Sequence, residues 1–163
     1  MREREREMTP IVHLVCTNIK GGETLIPTLL TLLAPLENPA EMERINRFVF
    51  AADKLRGIAS RMLTRLTIAE DLNISRLSQL PPLTRTDNGR PCFSNTAMPR
   101  YDWNVSHDGD FVVFASGLQG VRNIGVDVMK VSDAKDAAFF DNLRFCFTND
   151  EWIDINYSTE AFM

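Results

Sequence analysis

The chain has 163 residues, 44% of them hydrophobic and 25% charged, so it has the material for one ordinary globular domain, or one and a fraction, with a buried core. Eighteen basic residues against 22 acidic give a formal net charge of −4, which argues against a general nucleic-acid binder. The most apolar run, Leu25 to Leu36, is too short to span a bilayer and contains Pro27 and Pro35, and the alternating Arg and Glu of Met1 to Met8 lack the apolar stretch of a signal peptide.

In chain order, residues 1–9 read as a disordered charged leader. Ile11 to Cys16 predicts a first strand. Thr24 to Leu36 predicts a helix starting near Pro27, and Pro39 to Phe50 a second one opening at Pro39. Asp53 is the expected N-cap of a third helix running to about Leu72. Its apolar positions Leu55, Ile58, Ala59, Met62, Leu63 and Leu66 fall at three-and-four spacing, and Arg56, Arg61 and Arg65 fall on the polar face. Pro81-Pro82 ends that unit. Arg76–Leu83 and Cys92–Ser94 predict a hairpin around the turn Thr86 to Pro91, with Asn88-Gly89 at its centre. Trp103–Ser106 and Phe111–Ser116 predict two strands joined at Asp108-Gly109, and Val121–Val131 another strand. Asp133–Phe145 and Asn149 to about Asn156 predict helices. Strand, helices, then strands and helices again imply an α+β fold.

Three well-separated cysteines, Cys16, Cys92 and Cys146, have no metal-ligand spacing and read as buried free thiols in a reducing compartment, hence a cytosolic protein. Fourteen of the 18 basic residues are arginine; that excess suits bidentate phosphate contacts and equally follows from codon usage. His107 sits beside the Asp108-Gly109 turn, where it is either structural or a hydrogen-bond donor to phosphate. Asp127 interrupts the apolar segment Ile124 to Met129; it either faces solvent or holds a hard cation together with phosphate oxygens. Neighbouring strands would bring His107 and Asp127 close together. The turn from Arg85 to Arg90 exposes backbone N–H groups that either cradle a phosphate or simply meet water. Arg44, Arg47, Arg56 and Arg61 read as a solvated helix face. Trp103 and Phe111 read as core side chains rather than stacking platforms.

Several blocks together resemble a known family. They are Glu43 to Asp53, Ser60 to Arg65, Arg85 to Pro91, Trp103 to Asp110, Ile124 to Lys130 and Phe147 to Trp152, in family order and spacing from about residue 41 to 153. The chain resembles the Sfp-type 4′-phosphopantetheinyl transferases, and within them the eukaryotic lysine-pathway (aminoadipate-semialdehyde dehydrogenase) type. The resemblance implies a fold of two similar α+β halves related by a pseudo-twofold. It implies an enzyme that moves the phosphopantetheine arm of coenzyme A to a serine of an apo acyl or peptidyl carrier protein, with Mg²⁺. Arg44 looks like the arginine that reaches the coenzyme A phosphates. Arg85, Thr86, Asp87, Asn88, Gly89 and Arg90 look like the loop that holds the nucleotide. Asn104, Val105, Ser106 and His107 look like the segment lining the diphosphate. Asp127 looks like the metal ligand. His107, Asp127 and Glu151 are the expected catalytic residues. Met129, where other branches carry a second acid, matches the lysine-pathway branch.

The family's third motif, Trp-x-x-Lys-Glu or similar, has no counterpart after Trp152. The expectation is therefore a truncated chain: a first subdomain over residues 10–120 and the incomplete start of a second over 121–163. A second reading is a non-catalytic remnant that binds coenzyme A or a carrier protein. The expected partners are these two, with no nucleic acid and no membrane; members of the family the chain resembles are mostly monomeric, while the exposed cleft face of an incomplete chain predicts a marginal or self-associating fold.

Overall fold

Ile11–Asn18, rich in apolar and β-branched residues, form a strand, β1, whose His13, Val15 and Thr17 side chains are half-buried while Val12, Leu14 and Cys16 stay exposed. The computed structural model describes residues 11–93, 101–118, 121–130, 142 and 144–160. They fall into two units, one ending at Val128 and the other beginning at Met129. The expected leader, residues 1–9, lies outside the described residues.

In the first unit, β1 is followed by α1 (Ile26–Leu33), α2 (Pro39–Asn46) and α3 (Ala51–Asp71). A hairpin of β2 (Leu83–Arg85) and β3 (Pro91–Phe93) comes next, then β4 (Asp102–Asp108) and β5 (Phe111–Leu118). β5 pairs antiparallel with both β1 and β4, so the main sheet runs β1-β5-β4. Helix and sheet are mixed as the α+β expectation requires. Gly109, at φ 52, opens the two-residue loop between β4 and β5.

α3 is amphipathic on two sides. Ile68 and Ala69 join Leu80, Leu83, Trp103 and Phe114 in one apolar cluster, and Ile58 joins Leu33 and Ile45 in another. β5 is buried on both faces. Val112, Phe114 and Ser116 turn toward α3, and Val113 and Ala115 turn away from it. On the second face Val121 and Ile124 lie against the strand: a Cβ at Gly117 would stand 2.8 Å from Val121 and 3.0 Å from Ile124. Phe114, fully buried at the centre, is expected to cost about 3–5 kcal/mol when cut to alanine, read as a drop in the urea midpoint.

Asp71, at the end of α3, ties the layers together. Its buried carboxylate lies 2.7 Å from His13 Nδ1 on β1 and accepts from Ser116 Oγ on β5 at 2.8 Å and from the Tyr101 hydroxyl. Burial, and then the bond to that carboxylate, push the Tyr101 phenol well above its ordinary pKa.

Several elements differ from the sequence expectation for identifiable reasons. α2 stops at Asn46 rather than Phe50, because Phe48 folds over α3 at Gly57, where a Cβ would stand 2.8 Å from Phe48 Cε2. α3 begins at Ala51 with extended Phe50 as its cap residue, so Asp53 lies inside the first turn, where it pairs with Arg56. Leu77–Gln79 is a 3₁₀ turn, leaving the hairpin strands only three residues long. The turn's central residues are Asp87-Asn88, closed by Gly89 N–H to Thr86 C=O at 2.8 Å, and Gly89 follows in the left-handed region at φ 79. Val121–Lys130 is not a strand. Asn123 reverses the backbone at φ 59, and side chains anchor the run beyond it instead of a ladder. Phe111 is exposed rather than core, while Trp103 is buried as expected. The cysteines are free as expected, but Cys16 and Cys146 are exposed rather than buried.

In the second unit, Arg144–Cys146 is a 3₁₀ turn and α4 spans Asn149–Glu160. Apart from Asn142, which is helical, and that turn, the expected helix Asp133–Phe145 lies outside the described residues. Among the described residues no helix is long and apolar enough to cross a membrane.

Candidate functional site

α2, α3, β2 and β4 border a cleft of about 290 Å³ whose charged lining is Arg44, Arg61, Arg85 and His107 together with one carboxylate, Glu41. Local structure explains how they meet. Asn38 caps α2 by accepting from Glu41 N–H at 3.0 Å, and its side-chain amide donates to Leu83 C=O at the start of β2. That pins β2 against the first turn of α2, so Arg85, two residues along β2, faces Glu41. The fork is bidentate: Arg85 Nε donates to Glu41 Oε1 at 2.9 Å and its Nη2 to Oε2 at 3.1 Å. Arg61 Nη2 reaches Oε2 from α3 at 2.5 Å, and Arg44 Nε lies 3.3 Å from Oε1. Burial raises the Glu41 pKa, but hydrogen bonds and charge from Arg85 and Arg61 outweigh it and hold the carboxyl below its ordinary value. The cluster therefore stays ionised at neutral pH and loosens only as pH falls through that lowered value.

Sequence reasoning missed the burial of this charge. Arg61 and Arg65, expected on a solvated face, are 8% and 0% exposed. Arg65 Nε donates to the equally buried Glu37 Oε1 at 2.8 Å and Nη2 to the Leu36 carbonyl, clamping α3 to the connection before α2. Arg56 is also engaged, donating to Gly109 C=O at the β4–β5 turn at 2.8 Å. Of that expected face, Arg44 and Arg47 remain exposed.

The expected site residues separate by strand alternation. On β4, Val105 and His107 share the face that borders α3 and the cleft, while Asn104 and Ser106 belong to the opposite face. Asp127 joins that opposite face. Its Oδ1 accepts from Ser106 Oγ at 2.6 Å, and Val128 N–H donates to the same hydroxyl at 3.2 Å. Asp127 thus lies against the neighbour of His107 in sequence, across the edge strand from the cleft. His107 lies within β4, opposite Val112, rather than in the turn.

The hairpin is less open than its sequence suggests. The backbone N–H groups of Thr86, Gly89 and Arg90 all donate within it. Thr86, Asp87, Asn88 and Gly89 are exposed. Arg90 Nη2 contacts Asp102 Oδ1 at 2.7 Å and the Trp103 and Ile124 carbonyls, both at 2.9 Å, so it braces β4 and the Asp127 segment. Glu151, in the second unit, forms a capping box: Thr148 N–H and Oγ1 both lie 2.8 Å from its Oε2, and Glu151 N–H donates back to Thr148 Oγ1. The Thr148 backbone bond, with the hydroxyl bond second, lowers its pKa.

Among the described residues no group of three or more His, Cys, Asp or Glu could enclose a metal ion. Asp127, a lone exposed carboxylate beside a hydroxyl, suits a cation that takes one carboxylate and completes its shell with phosphate oxygens and water, as Mg²⁺ does.

The family profile described as 4′-phosphopantetheinyl transferase, N-terminal, matches residues 27–119. The human L-aminoadipate-semialdehyde dehydrogenase-phosphopantetheinyl transferase is 37% identical over 120 residues, 70% of this chain and 38% of that protein. The Rattus norvegicus protein of the same name is 36% identical over the same span, with the same shares covered. A phosphopantetheinyl transferase from Thraustochytrium sp. is 35% identical over 116 residues, 69% of this chain and 39% of that protein. The matched stretch is thus about two-fifths of the length of these curated relatives.

Proposed function

We propose, since this chain belongs to the 4′-phosphopantetheinyl transferase family through its N-terminal domain, that it supplies the coenzyme A-binding half of an enzyme that loads apo carrier proteins. The observation that carries this reading is the cleft, where three guanidiniums meet a single buried carboxylate and His107 lines the same wall. Such a site suits a ligand with several phosphate charges, and coenzyme A has a diphosphate and a 3′-phosphate.

In the proposed reaction the hydroxyl oxygen of a carrier serine bonds to the phosphorus that bears the pantetheine arm. The bond from that phosphorus to the adenosine 3′,5′-bisphosphate oxygen breaks, and the serine proton passes to a carboxylate. Arg44, Arg85 and His107 hold the phosphates from the cleft side of β4. The exposed Thr86–Gly89 turn completes the nucleotide contacts, and Asn104 lines the diphosphate. Asp127, steadied by Ser106, would hold Mg²⁺, which when bound neutralises charge on the diphosphate oxygens. Glu151, whose carboxylate caps α4, is the third proposed catalytic residue. The carrier domain of an L-aminoadipate-semialdehyde dehydrogenase is the proposed acceptor, after the name the mammalian relatives bear. The proposed compartment is the cytosol, in keeping with three free thiols.

The test is intact mass. An apo carrier domain incubated with coenzyme A, Mg²⁺ and a form of the protein extended through a second half should gain one phosphopantetheine, and calorimetry should detect coenzyme A binding by this chain itself. Asp127→Ala in an active form of the protein should lower turnover by on the order of a hundredfold or more. Undiminished turnover in that variant would remove Asp127 from the metal site.

A further inference from the structure

Glu41 poses a problem for an anion site. A carboxylate placed among phosphate-binding groups repels the ligand, and on charge alone the cleft would bind better without it. Its geometry points the other way. Glu41 is buried, and its two oxygens contact guanidiniums from three elements: Arg44 on its own helix, Arg61 on α3 and Arg85 on β2. The Asn38 cap and the Asn38–Leu83 bond fix where Glu41 stands between α2 and β2. Three cations face one anion, so two guanidinium charges are left over for a ligand.

Arg61 adds a second observation. Its Nη1 donates to Gly57 C=O at 2.9 Å and its Nη2 is taken by Glu41. The residue lines the cleft, and its Nε, buried just behind, has no hydrogen-bond partner among the described residues. A buried N–H without a partner carries a free-energy penalty that a ligand oxygen would remove.

We infer that Glu41 is the positioning residue of the anion site, holding the guanidiniums of Arg44, Arg61 and Arg85 as one wall, and that Arg61 is itself a phosphate ligand. The ligand class is a diphosphate or a phosphate monoester dianion. This rests on the reading of the cleft as the coenzyme A phosphate site.

The experiment is calorimetric titration of coenzyme A, and separately of inorganic pyrophosphate, into the full chain and into Glu41→Gln, Arg61→Lys and Arg61→Met. Thermal melts run alongside, so that affinity is compared only where each protein is folded. Glu41→Gln removes a negative charge from the cleft, yet it is expected to weaken both ligands by on the order of tenfold, because a neutral amide cannot hold three guanidiniums. Equal or tighter binding by folded Glu41→Gln overturns the inference. Arg61→Lys keeps the charge but loses the fork, and is expected to weaken binding similarly; unchanged affinity removes Arg61 as a ligand. If Glu41→Gln does not fold, the comparison moves to Arg61→Met against Glu41→Gln/Arg61→Met. Positioning requires the double variant to bind more weakly than the single one, and a purely electrostatic role requires it to bind more tightly. A purely structural role shifts the melt and leaves affinity in the folded protein unchanged. No binding of coenzyme A or pyrophosphate by the unsubstituted chain sinks the coenzyme A reading together with this inference, a result distinct from binding that survives Glu41→Gln.

Discussion

Glu37→Ala is expected to destabilise the first unit by about 3–5 kcal/mol, because it strands a buried guanidinium without its counter-ion. The side chains of Arg65 and Glu37 are both 0% exposed, and their contact is one hydrogen bond of 2.8 Å. Arg65 is also held by the Leu36 carbonyl, with a weaker contact to Pro81 C=O at 3.5 Å. Those carbonyls satisfy N–H groups but do not neutralise charge, so they cannot replace the carboxylate. The double substitution Glu37→Leu/Arg65→Met removes both charges at similar volume and is expected to lie within about 2 kcal/mol of the parent or to exceed it in stability. Urea unfolding of the parent, both single variants and the double variant closes the cycle. A loss under about 1 kcal/mol in Glu37→Ala would mean that water reaches Arg65.

His107→Ala is expected to weaken coenzyme A binding by roughly tenfold while leaving stability within about 0.5 kcal/mol. The two effects separate because of where the side chain sits. His107 is exposed at the cleft, on the end of an edge strand whose backbone ladder to Val112 the substitution leaves intact. Calorimetry gives the first quantity and a melt the second. Unchanged affinity would remove His107 from the phosphate site, and a large drop in stability would make it a structural histidine like His13, which is tied to Asp71.

The contrast between these two variants marks how far the sequence could be read. Local signals were sufficient wherever neighbours in sequence decide the outcome. Pro39 opens α2 and Gly109 sets the loop between β4 and β5, whereas the inward face of β1, with His13 and Thr17 turned in and Val12 and Leu14 exposed, is not visible in its residues. The resemblance blocks picked out Arg44, Arg85 and His107, which do share a cleft. Arg61 and Arg65 were misplaced because a charged residue at helical spacing looks the same whether it faces water or a buried carboxylate. Only Glu37 and Glu41, 28 and 20 residues away, decide between the two. Phe111 was misread because an apolar side chain at a strand's end is covered only if another element reaches it.

By itself, then, the sequence determined the α+β succession, the turns that glycine and proline impose, and the family, because these depend on backbone preferences and on residue identities in order. The tertiary structure decided which charges are buried, which face of β4 each site residue occupies, and that the run to Asp127 is anchored by Arg90, Asp102 and Ser106 rather than paired as a strand. Burial and ion pairing are properties of groups that meet only after the chain has folded, and a carboxylate's cost or benefit is set by the cations that meet it there.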